Sequence, residues 1–223
     1  MPQRRDELPA DKRIRITEIF YSIQGESRPS GFPTVFVRLT GCPLRCQYCD
    51  TEYAFHGGEW FTFEQILSSV GEYKPTYVCV TGGEPLAQSN SLGLLKQLCD
   101  SGYSVSLETS GALPIEEVDP RVTVVMDVKT PASGEQSRNL IGNLDLLKSK
   151  DQLKFVICDR NDYEWAKQFI TDNALMDKCS VLFSPSQPQL EGKELAEWIL
   201  ADRLAVRFQV QLHKYLWGNE PGH

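Results

Sequence analysis

Three cysteines lie within eight residues of one another, at Cys42, Cys46 and Cys49, in the stretch "LTGCPLRCQYCDTEYAF". The chain has seven cysteines in all, and an odd number with a tight cluster is typical of metal binding or catalysis rather than of a disulfide framework. Three thiolates at this spacing can wrap one face of an iron-sulfur cluster, but they leave tetrahedral zinc one ligand short. Because His56 could complete a zinc site, both interpretations stay open at this point.

Two further motifs combine glycine with groups that can bind a polar ligand. In "TGGEP", residues 81–85, two glycines let the backbone approach a ligand, and Glu84 offers an acceptor for an ammonium group. In "LETSG", residues 107–111, Glu108, Thr109 and Ser110 can hydrogen-bond a ligand. The first motif alone is also compatible with an ordinary turn. The stretch "MDVKT", residues 126–130, is a further candidate that is also compatible with an ordinary strand-to-loop exit and a solvated Lys129.

Other polar candidates lie near the cysteine cluster in the sequence. Arg38, in "FVRL", can form a forked pair with a ligand carboxylate, although a surface carboxylate is an equally reasonable partner. Gln24, in "IQGE", carries both a donor and an acceptor and suits the edge of a flat heterocycle, with Gly25 beside it for close approach. Asp50 is interpreted as an acceptor for backbone amides of the cysteine loop.

Apolar runs of strand length alternate along the chain with segments of helical spacing. The predicted strands are Thr34–Leu39, Tyr77–Thr81, Val105–Glu108, Val122–Val128, Leu153–Ile157, Val181–Phe183 and Val206–Leu212. The predicted helices lie in "TFEQILSSVGEY", "SNSLGLLKQLCDSG", "DYEWAKQFITDNAL" and "GKELAEWILAD". This alternation predicts an α/β fold with a parallel sheet, either doubly wound or bent into a complete or partial barrel. The motifs above follow predicted strand ends, which is where an α/β active site is expected.

The composition favours one globular domain with a small-molecule ligand. The 223 residues are 41% apolar and 24% charged, and the net charge of -7 argues against a nucleic-acid partner. No apolar run approaches the roughly 20 residues of a membrane span, and the polar start "MPQRRDELPADKR" lacks the apolar core of a signal peptide. We therefore expect a cytoplasmic protein without a membrane partner, with residues 1–12 as a mobile extension and residues 13–223 as the folded domain.

The four cysteines outside the cluster are predicted to be structural. Cys79 and Cys158 lie in apolar strand runs, Cys99 lies in a helical segment, and Cys179 comes just before a strand. Free cysteine behaves as a small hydrophobic residue. We therefore expect all four side chains to be buried.

The cysteine motif resembles the signature of the radical S-adenosylmethionine (SAM) enzymes, with Tyr48 as the aromatic residue before the last cysteine. The resemblance implies a 4Fe-4S cluster on the three cysteines, SAM bound to the open iron, and reductive cleavage of SAM to a 5′-deoxyadenosyl radical. It implies an incomplete, TIM-type βα barrel in a single domain. By the same resemblance the residues that contact SAM are Gly83, Glu84, Glu108, Thr109, Ser110, Asp127, Val128 and Lys129.

Residues 16–51 and the tail "QVQLHKYLWG" are similar to a narrower group within this family. Its members convert 6-carboxy-5,6,7,8-tetrahydropterin to 7-carboxy-7-deazaguanine with loss of ammonia, on the way to queuosine. The resemblance implies a homodimer, an electron donor such as flavodoxin or ferredoxin, and Mg²⁺ bound by Thr51, whose hydroxyl suits a hard cation. The implied substrate contacts are Ile23, Gln24, Gly25, Arg38, Thr81, His213 and Lys214.

Two other functions stay open from the sequence. An activating enzyme that installs a glycyl radical on a protein would share the cysteine loop and "TGGEP", but it would need a large docking surface. A non-catalytic iron-sulfur or zinc module would explain the three thiolates, but it leaves "TGGEP" and "LETSG" without a role. Reductive cleavage of SAM by the reconstituted protein separates an enzyme from such a module.

Overall fold

One mixed sheet carries the fold. The structure is a computed structural model and describes residues 13–218, 220 and 222. In these residues the strands are β1 (Arg13–Ile23), β2 (Pro33–Leu39), β3 (Glu59–Thr62), β4 (Tyr77–Gly82), β5 (Ser104–Thr109), β6 (Thr123–Asp127), β7 (Gln152–Ile157), β8 (Ser180–Pro185) and β9 (Arg207–Phe208). The helices are α1 (Phe63–Glu72), α2 (Ser91–Asp100), α3 (Arg160–Asp172), α4 (Gly192–Ala201) and α5 (Leu212–Trp217).

The strand order is β3-β1-β2-β4-β5-β6-β7-β8-β9. Strand β1 is antiparallel to β2 and β3, and all pairs from β2 to β9 are parallel. Helices connect β3 to β4, β4 to β5, β7 to β8 and β8 to β9, whereas the two crossovers on either side of β6 contain no α-helix. The expectation of an incomplete βα barrel is therefore confirmed.

Alternation along the strands separates the core from the inner face of the barrel. On β7, Leu153, Phe155 and Ile157 are fully buried in the hydrophobic core, while Lys154 and Val156 line a cavity inside the barrel. Successive side chains of a strand point to opposite faces. A charged residue within the apolar run "QLKFVI" therefore reaches the functional side of the sheet without disturbing the core.

The open side of the partial barrel is bridged by the β1–β2 loop, residues 24–32. The Ser27 amide donates to Gln209 Oε1 (2.6 Å), and Gln209 Nε2 donates back to the Ser27 carbonyl (3.0 Å). Arg28 Nη2 donates to the Ser149 carbonyl (2.9 Å) and to Ser180 Oγ (2.7 Å). Side chains thus connect the first and last parts of the sheet where no strand pair does so among the described residues.

Three elements differ from the sequence prediction. Strands β1 and β3 were not predicted; β1 alternates Ile14 and Ile16 with polar residues, but a register shift follows between Ile16 and Glu18 and breaks the period. The strand predicted at Val206–Leu212 is wrong beyond Phe208, because the Leu212 amide donates to the Gly25 carbonyl (3.0 Å) and α5 begins there.

The four cysteines predicted to be structural are buried, which confirms that expectation. Residues 1–12, predicted as a mobile extension, lie outside the described residues. Among the described helices, none has the length and apolar character needed to cross a membrane.

Candidate active site

The carboxyl ends of the parallel strands open into one cavity of about 640 Å³. Sixteen of the nineteen residues predicted to bind the cofactors or the substrate line this cavity: Ile23, Gln24, Arg38, Cys42, Cys46, Cys49, Thr51, Thr81, Gly83, Glu108, Thr109, Ser110, Asp127, Lys129, His213 and Lys214. Gly25, Glu84 and Val128 are buried behind the lining. The strand-end argument therefore predicted correctly that these residues lie together at one cavity.

The cysteine loop follows β2 and is held by backbone contacts. The Gly41 amide donates to the Ala54 carbonyl (2.8 Å), and the Gln47 amide donates to the Ser133 carbonyl (3.0 Å). Gly83, in "GGEP", packs directly on this loop, since a Cβ atom on Gly83 would lie 2.1 Å from the Gly41 carbonyl oxygen. Glycine is required at this position because the two backbones touch.

The three loop thiols are half-buried and face the same cavity. Burial raises the pKa of Cys46 to about 11, against a smaller opposing effect of the Lys129 ammonium, and burial also raises the pKa values of Cys42 and Cys49. Free thiols here would be protonated at neutral pH, so cluster binding would release protons.

The donor set fits a cluster better than a zinc ion. In the described part of the chain, no three His, Cys, Asp or Glu side chains are arranged around a single ion. His56, the candidate fourth ligand, is exposed and does not line the cavity. Three thiols that line one cavity suit a 4Fe-4S cluster, in which each cysteine binds a different iron.

The role expected for Glu84 requires a correction. Its side chain has no exposed surface, and its carboxylate accepts hydrogen bonds from the Leu86 amide (3.0 Å), Thr109 Oγ1 (2.9 Å), and the Ser110 amide and hydroxyl (2.7 and 2.5 Å). Because protein donors occupy both oxygen atoms, Glu84 is not free to accept an ammonium group of a ligand. Its hydrogen bonds hold the ends of β4 and β5 together and fix the orientation of the Thr109 and Ser110 side chains.

The end of β6 places two charged groups in the cavity. Lys129 Nζ lies 3.3 Å from Asp127 Oδ1 and 5.7 Å from the centre of the Tyr48 ring. Burial alone would lower the pKa of Lys129, but the Asp127 carboxylate outweighs it and the pKa is raised. Val128 between them is 3% exposed and belongs to the core, so a contact between its side chain and SAM is not supported.

Arg38 is oriented by an acid and two aromatic rings. Its Nε donates to Glu18 Oε1 (2.6 Å), which also accepts from the Tyr53 hydroxyl (2.8 Å). The guanidinium carbon lies 5.4 Å from the Phe20 ring centre and 5.8 Å from that of Tyr53. The acid that the sequence offered as an alternative partner is therefore present, but it binds Nε. Among the described residues, the two terminal nitrogens of Arg38 have no hydrogen-bond partner and could bind a ligand.

Gln24 and Gly25 have different surroundings. Gln24 is 2% exposed; its Oε1 accepts from the Glu26 amide (3.1 Å), while its Nε2 has no hydrogen-bond partner among the described residues. Gly25 does not face the cavity: a Cβ there would lie 2.0 Å from His213 Nδ1. The small size of Gly25 therefore makes room for helix α5, and a substrate contact through its backbone stays a prediction.

Helix α5 carries His213 and Lys214 to the cavity. Lys214 Nζ lies 2.7 Å from Asp50 Oδ2, and Thr51 Oγ1 donates to Asp50 Oδ1 (2.9 Å). The interpretation of Asp50 as an acceptor for backbone amides is wrong, because its partners are side chains. Burial lowers the pKa of His213, which stays neutral at pH 7.

Sequence reasoning missed two residues of the cavity, the buried Glu26 and the half-buried Lys154. Lys154 Nζ lies 2.5 Å from Glu26 Oε2 and 3.4 Å from Asp127 Oδ2. The signal available was a lysine inside an apolar strand, at a position of the inward-facing period.

The fold and the three-cysteine loop define a domain of the radical SAM type, and the model of the "Radical SAM superfamily" matches residues 36–129. A 7-carboxy-7-deazaguanine synthase from Chlorobaculum tepidum is 48% identical over 213 residues, covering 94% of this chain and 97% of the relative. One from Koribacter versatilis is 44% identical over 222 residues, covering 93% and 98%. The chain therefore belongs to the 7-carboxy-7-deazaguanine synthase family of radical SAM enzymes, as the sequence resemblance implied.

A solved structure supports the same fold. The crystal structure of QueE from Escherichia coli matches with a TM-score of 0.74 at 24% identity, covering 90% of this chain and 95% of that chain.

Proposed function

We propose that this protein converts 6-carboxy-5,6,7,8-tetrahydropterin to 7-carboxy-7-deazaguanine by radical ring contraction with loss of ammonia. The observation that carries the proposal is the single cavity in which the three-cysteine loop meets Arg38, Gln24 and His213. Relatives that bear the name of this synthase match over nearly their whole length. The rival function as a glycyl-radical activating enzyme has no comparable support among these relatives.

The residues of the cavity suit the cofactors that this function requires. Cys42, Cys46 and Cys49 would hold a 4Fe-4S cluster, which together with bound SAM supplies the 5′-deoxyadenosyl radical. Gly83 and Ser110 would contact SAM directly, with Thr109, Asp127 and Lys129 beside them. Glu84 would act from behind by fixing Thr109 and Ser110.

Mg²⁺ would bind at Thr51. The Thr51 hydroxyl gives its proton to Asp50 and so keeps oxygen lone pairs for a cation. Mg²⁺ takes few protein ligands and keeps several waters, so one hydroxyl with a carboxylate close by is a sufficient protein contribution.

The substrate would lie between Arg38 and the β1–β2 loop. The terminal nitrogens of Arg38 would take the substrate carboxylate, and the unpartnered Nε2 of Gln24 would donate to an acceptor on the ring. Ile23 offers an apolar surface at the same edge of the cavity, and His213 and Lys214 would cover the substrate from helix α5.

Glu108 fits the substrate better than SAM. It accepts a hydrogen bond from Thr81 Oγ1 (2.7 Å), and its charge helps to raise the pKa of Arg38 and opposes the effect of burial on the pKa of His213. Both of these residues lie on the substrate side. A carboxylate matches the amino and ring N–H groups of a pterin. We therefore assign Glu108 to the substrate, in place of the SAM contact expected from the sequence.

The remaining parts of the proposal follow from the family. We propose a homodimer and a one-electron donor such as flavodoxin or ferredoxin. A cytoplasmic location suits a site that needs three reduced thiols for its cluster.

The test is anaerobic reconstitution followed by incubation with SAM, a reductant, Mg²⁺ and the carboxylated tetrahydropterin. Mass spectrometry should detect 7-carboxy-7-deazaguanine and 5′-deoxyadenosine. Formation of 5′-deoxyadenosine without deazapurine would favour the glycyl-radical alternative. Protein that loads a metal but never cleaves SAM would be a non-catalytic module.

An Arg38→Ala variant tests the substrate placement. Loss of a charge-assisted contact to a carboxylate costs about 1.5–3 kcal/mol, so calorimetry should show substrate binding roughly ten- to hundred-fold weaker, with cluster and SAM binding retained. Arg121→Ala, which removes an exposed guanidinium paired with Asp119 and Asp100, is the control. If Arg38→Ala loses SAM binding while substrate affinity is unchanged, the carboxylate is placed wrongly.

A further inference from the structure

A continuous chain of four charged side chains crosses the cavity from the β1–β2 loop to the end of β6. We call Glu26, Lys154, Asp127 and Lys129 the charge chain. Lys154 Nζ lies 2.5 Å from Glu26 Oε2 and 3.4 Å from Asp127 Oδ2. The other carboxylate oxygen, Asp127 Oδ1, lies 3.3 Å from Lys129 Nζ. At its outer end, Gln211 Nε2 donates to Glu26 Oε1 (2.7 Å).

The charge chain is electrically balanced and mostly withdrawn from solvent. Its side chains are between 10% and 18% exposed, and its two carboxylates alternate with two ammonium groups. Lys154 is the sole cation within ion-pair distance of Glu26 among the described residues. Buried charges are stable only in such pairing, so loss of Lys154 would leave the Glu26 carboxylate without a counterion.

The two ends of the charge chain belong to different halves of the proposed site. Glu26 directly follows Gln24 and Gly25 in the loop assigned to the substrate, whereas Asp127 and Lys129 lie at the strand end assigned to SAM. Lys154 stands on a third element, β7, and contacts both halves. Burial alone would lower the pKa of Lys154, but Glu26 and Asp127 outweigh it and raise the pKa, so the link stays charged at neutral pH.

We propose that Lys154 is a positioning residue that holds the substrate loop and the SAM-binding strand end in register, so that the radical is directed to the substrate. This inference rests on the proposed function. Radical transfer needs the two reacting atoms in close and fixed contact, and displacements of about 1 Å can reduce a rate roughly a hundred-fold. Without Lys154, SAM should still be cleaved, but the radical should be lost to unproductive reactions.

The test compares reconstituted wild type with Lys154→Met, which keeps the length of the side chain and removes its charge. Iron content and thermal unfolding are measured first. The amounts of 5′-deoxyadenosine and deazapurine are then measured in the same reaction. We expect 5′-deoxyadenosine to form close to the wild-type rate, while deazapurine per 5′-deoxyadenosine falls at least about ten-fold.

Glu26→Gln breaks the same link from the substrate side and gives a second measurement if Lys154→Met does not fold. Lys96→Met, which removes an exposed lysine paired with Asp100 on α2, is the control and should keep the wild-type ratio. Calorimetry with SAM and with the carboxylated tetrahydropterin should show that Lys154→Met and Glu26→Gln still bind SAM.

Each outcome bears on one hypothesis or on both. Wild-type protein that makes 5′-deoxyadenosine but no deazapurine refutes the proposed function and the inference together. Wild-type protein that makes both, beside chain variants with an unchanged ratio, refutes the inference alone. A fall in both products at constant ratio, with normal iron content, also overturns it, because Lys154 would then act on SAM cleavage.

Discussion

Replacing Glu84 with glutamine tests whether this residue supports the site from behind or contacts SAM. Glutamine keeps the shape of the side chain, but only one of its two terminal groups can accept hydrogen bonds. If its oxygen faces Ser110, its amide group faces the Leu86 N–H, which donates to Glu84 Oε1 at 3.0 Å in the structure. That backbone donor would then be buried without a partner.

The size of the effect follows from the four donors around the carboxylate. A buried unpaired donor costs about 1–3 kcal/mol, and the remaining bonds lose charge assistance worth roughly 1 kcal/mol each. Removal of a buried charge that has no cation within ion-pair distance among the described residues offsets part of this loss. We therefore expect the free energy of unfolding to fall by about 2–4 kcal/mol, a large fraction of the usual stability of a domain.

Urea unfolding of the apoprotein measures this loss, with Glu117→Gln as an exposed control that should change little. Calorimetry on the reconstituted proteins measures SAM affinity, which we expect to weaken only as far as Thr109 and Ser110 are displaced. Unchanged stability together with abolished SAM binding would refute the reasoning, because Glu84 would then be a direct SAM contact.

Three further predictions concern the cysteine loop and helix α5. Cys46→Ala should bind no cluster and cleave no SAM, whereas Cys99→Ala, buried far from the cavity lining, should keep both; visible absorption and 5′-deoxyadenosine assays decide. Thr51→Ala should keep cluster and SAM binding but lose deazapurine formation, and added Mg²⁺ should only partly restore it. For Lys214→Met the expectation depends on pH: burial raises the pKa of Asp50, but Lys214 outweighs it and lowers the pKa, so the pair stabilises the fold above about pH 4 and this contribution is lost as pH falls. The difference in melting temperature between wild type and variant should therefore shrink as the pH falls below about 4, and a difference that stays constant between about pH 5 and about pH 2 would contradict the assignment.

The sequence predicted where the site would lie because its motifs are local. Neighbouring residues alone are enough to recognise three cysteines within eight residues, or a glycine pair that follows an apolar strand. Parallel strands then bring Cys42, Gly83 and Ser110 to the same edge of the sheet without further information. Even Arg38, with one nitrogen paired to Glu18, kept the exposure to the cavity that its strand position predicted.

The sequence could not predict contacts between residues that are far apart in the chain. Glu26 and Lys154 are 128 positions apart, and Ser27 and Gln209 are 182 apart. Their pairing depends on the curvature that brings the β1–β2 loop against the last strands. The contact between Gly25 and His213 could not be predicted for the same reason. The absence of a side chain at Gly25 leaves room for His213, which lies near the other end of the chain.

The long-range contacts have a common consequence for how the site can work. The β1–β2 loop closes the open side of the barrel through Gln209, carries Glu26 to Lys154, and receives helix α5 through the Gly25 carbonyl. A closed barrel would fix these parts by strand pairing, whereas here buried polar side chains do so. Polar contacts of this kind are specific in geometry but depend on every partner being present. The loop that is proposed to bind the substrate is thus also the part that completes the barrel, so substrate binding and barrel closure should stabilise each other.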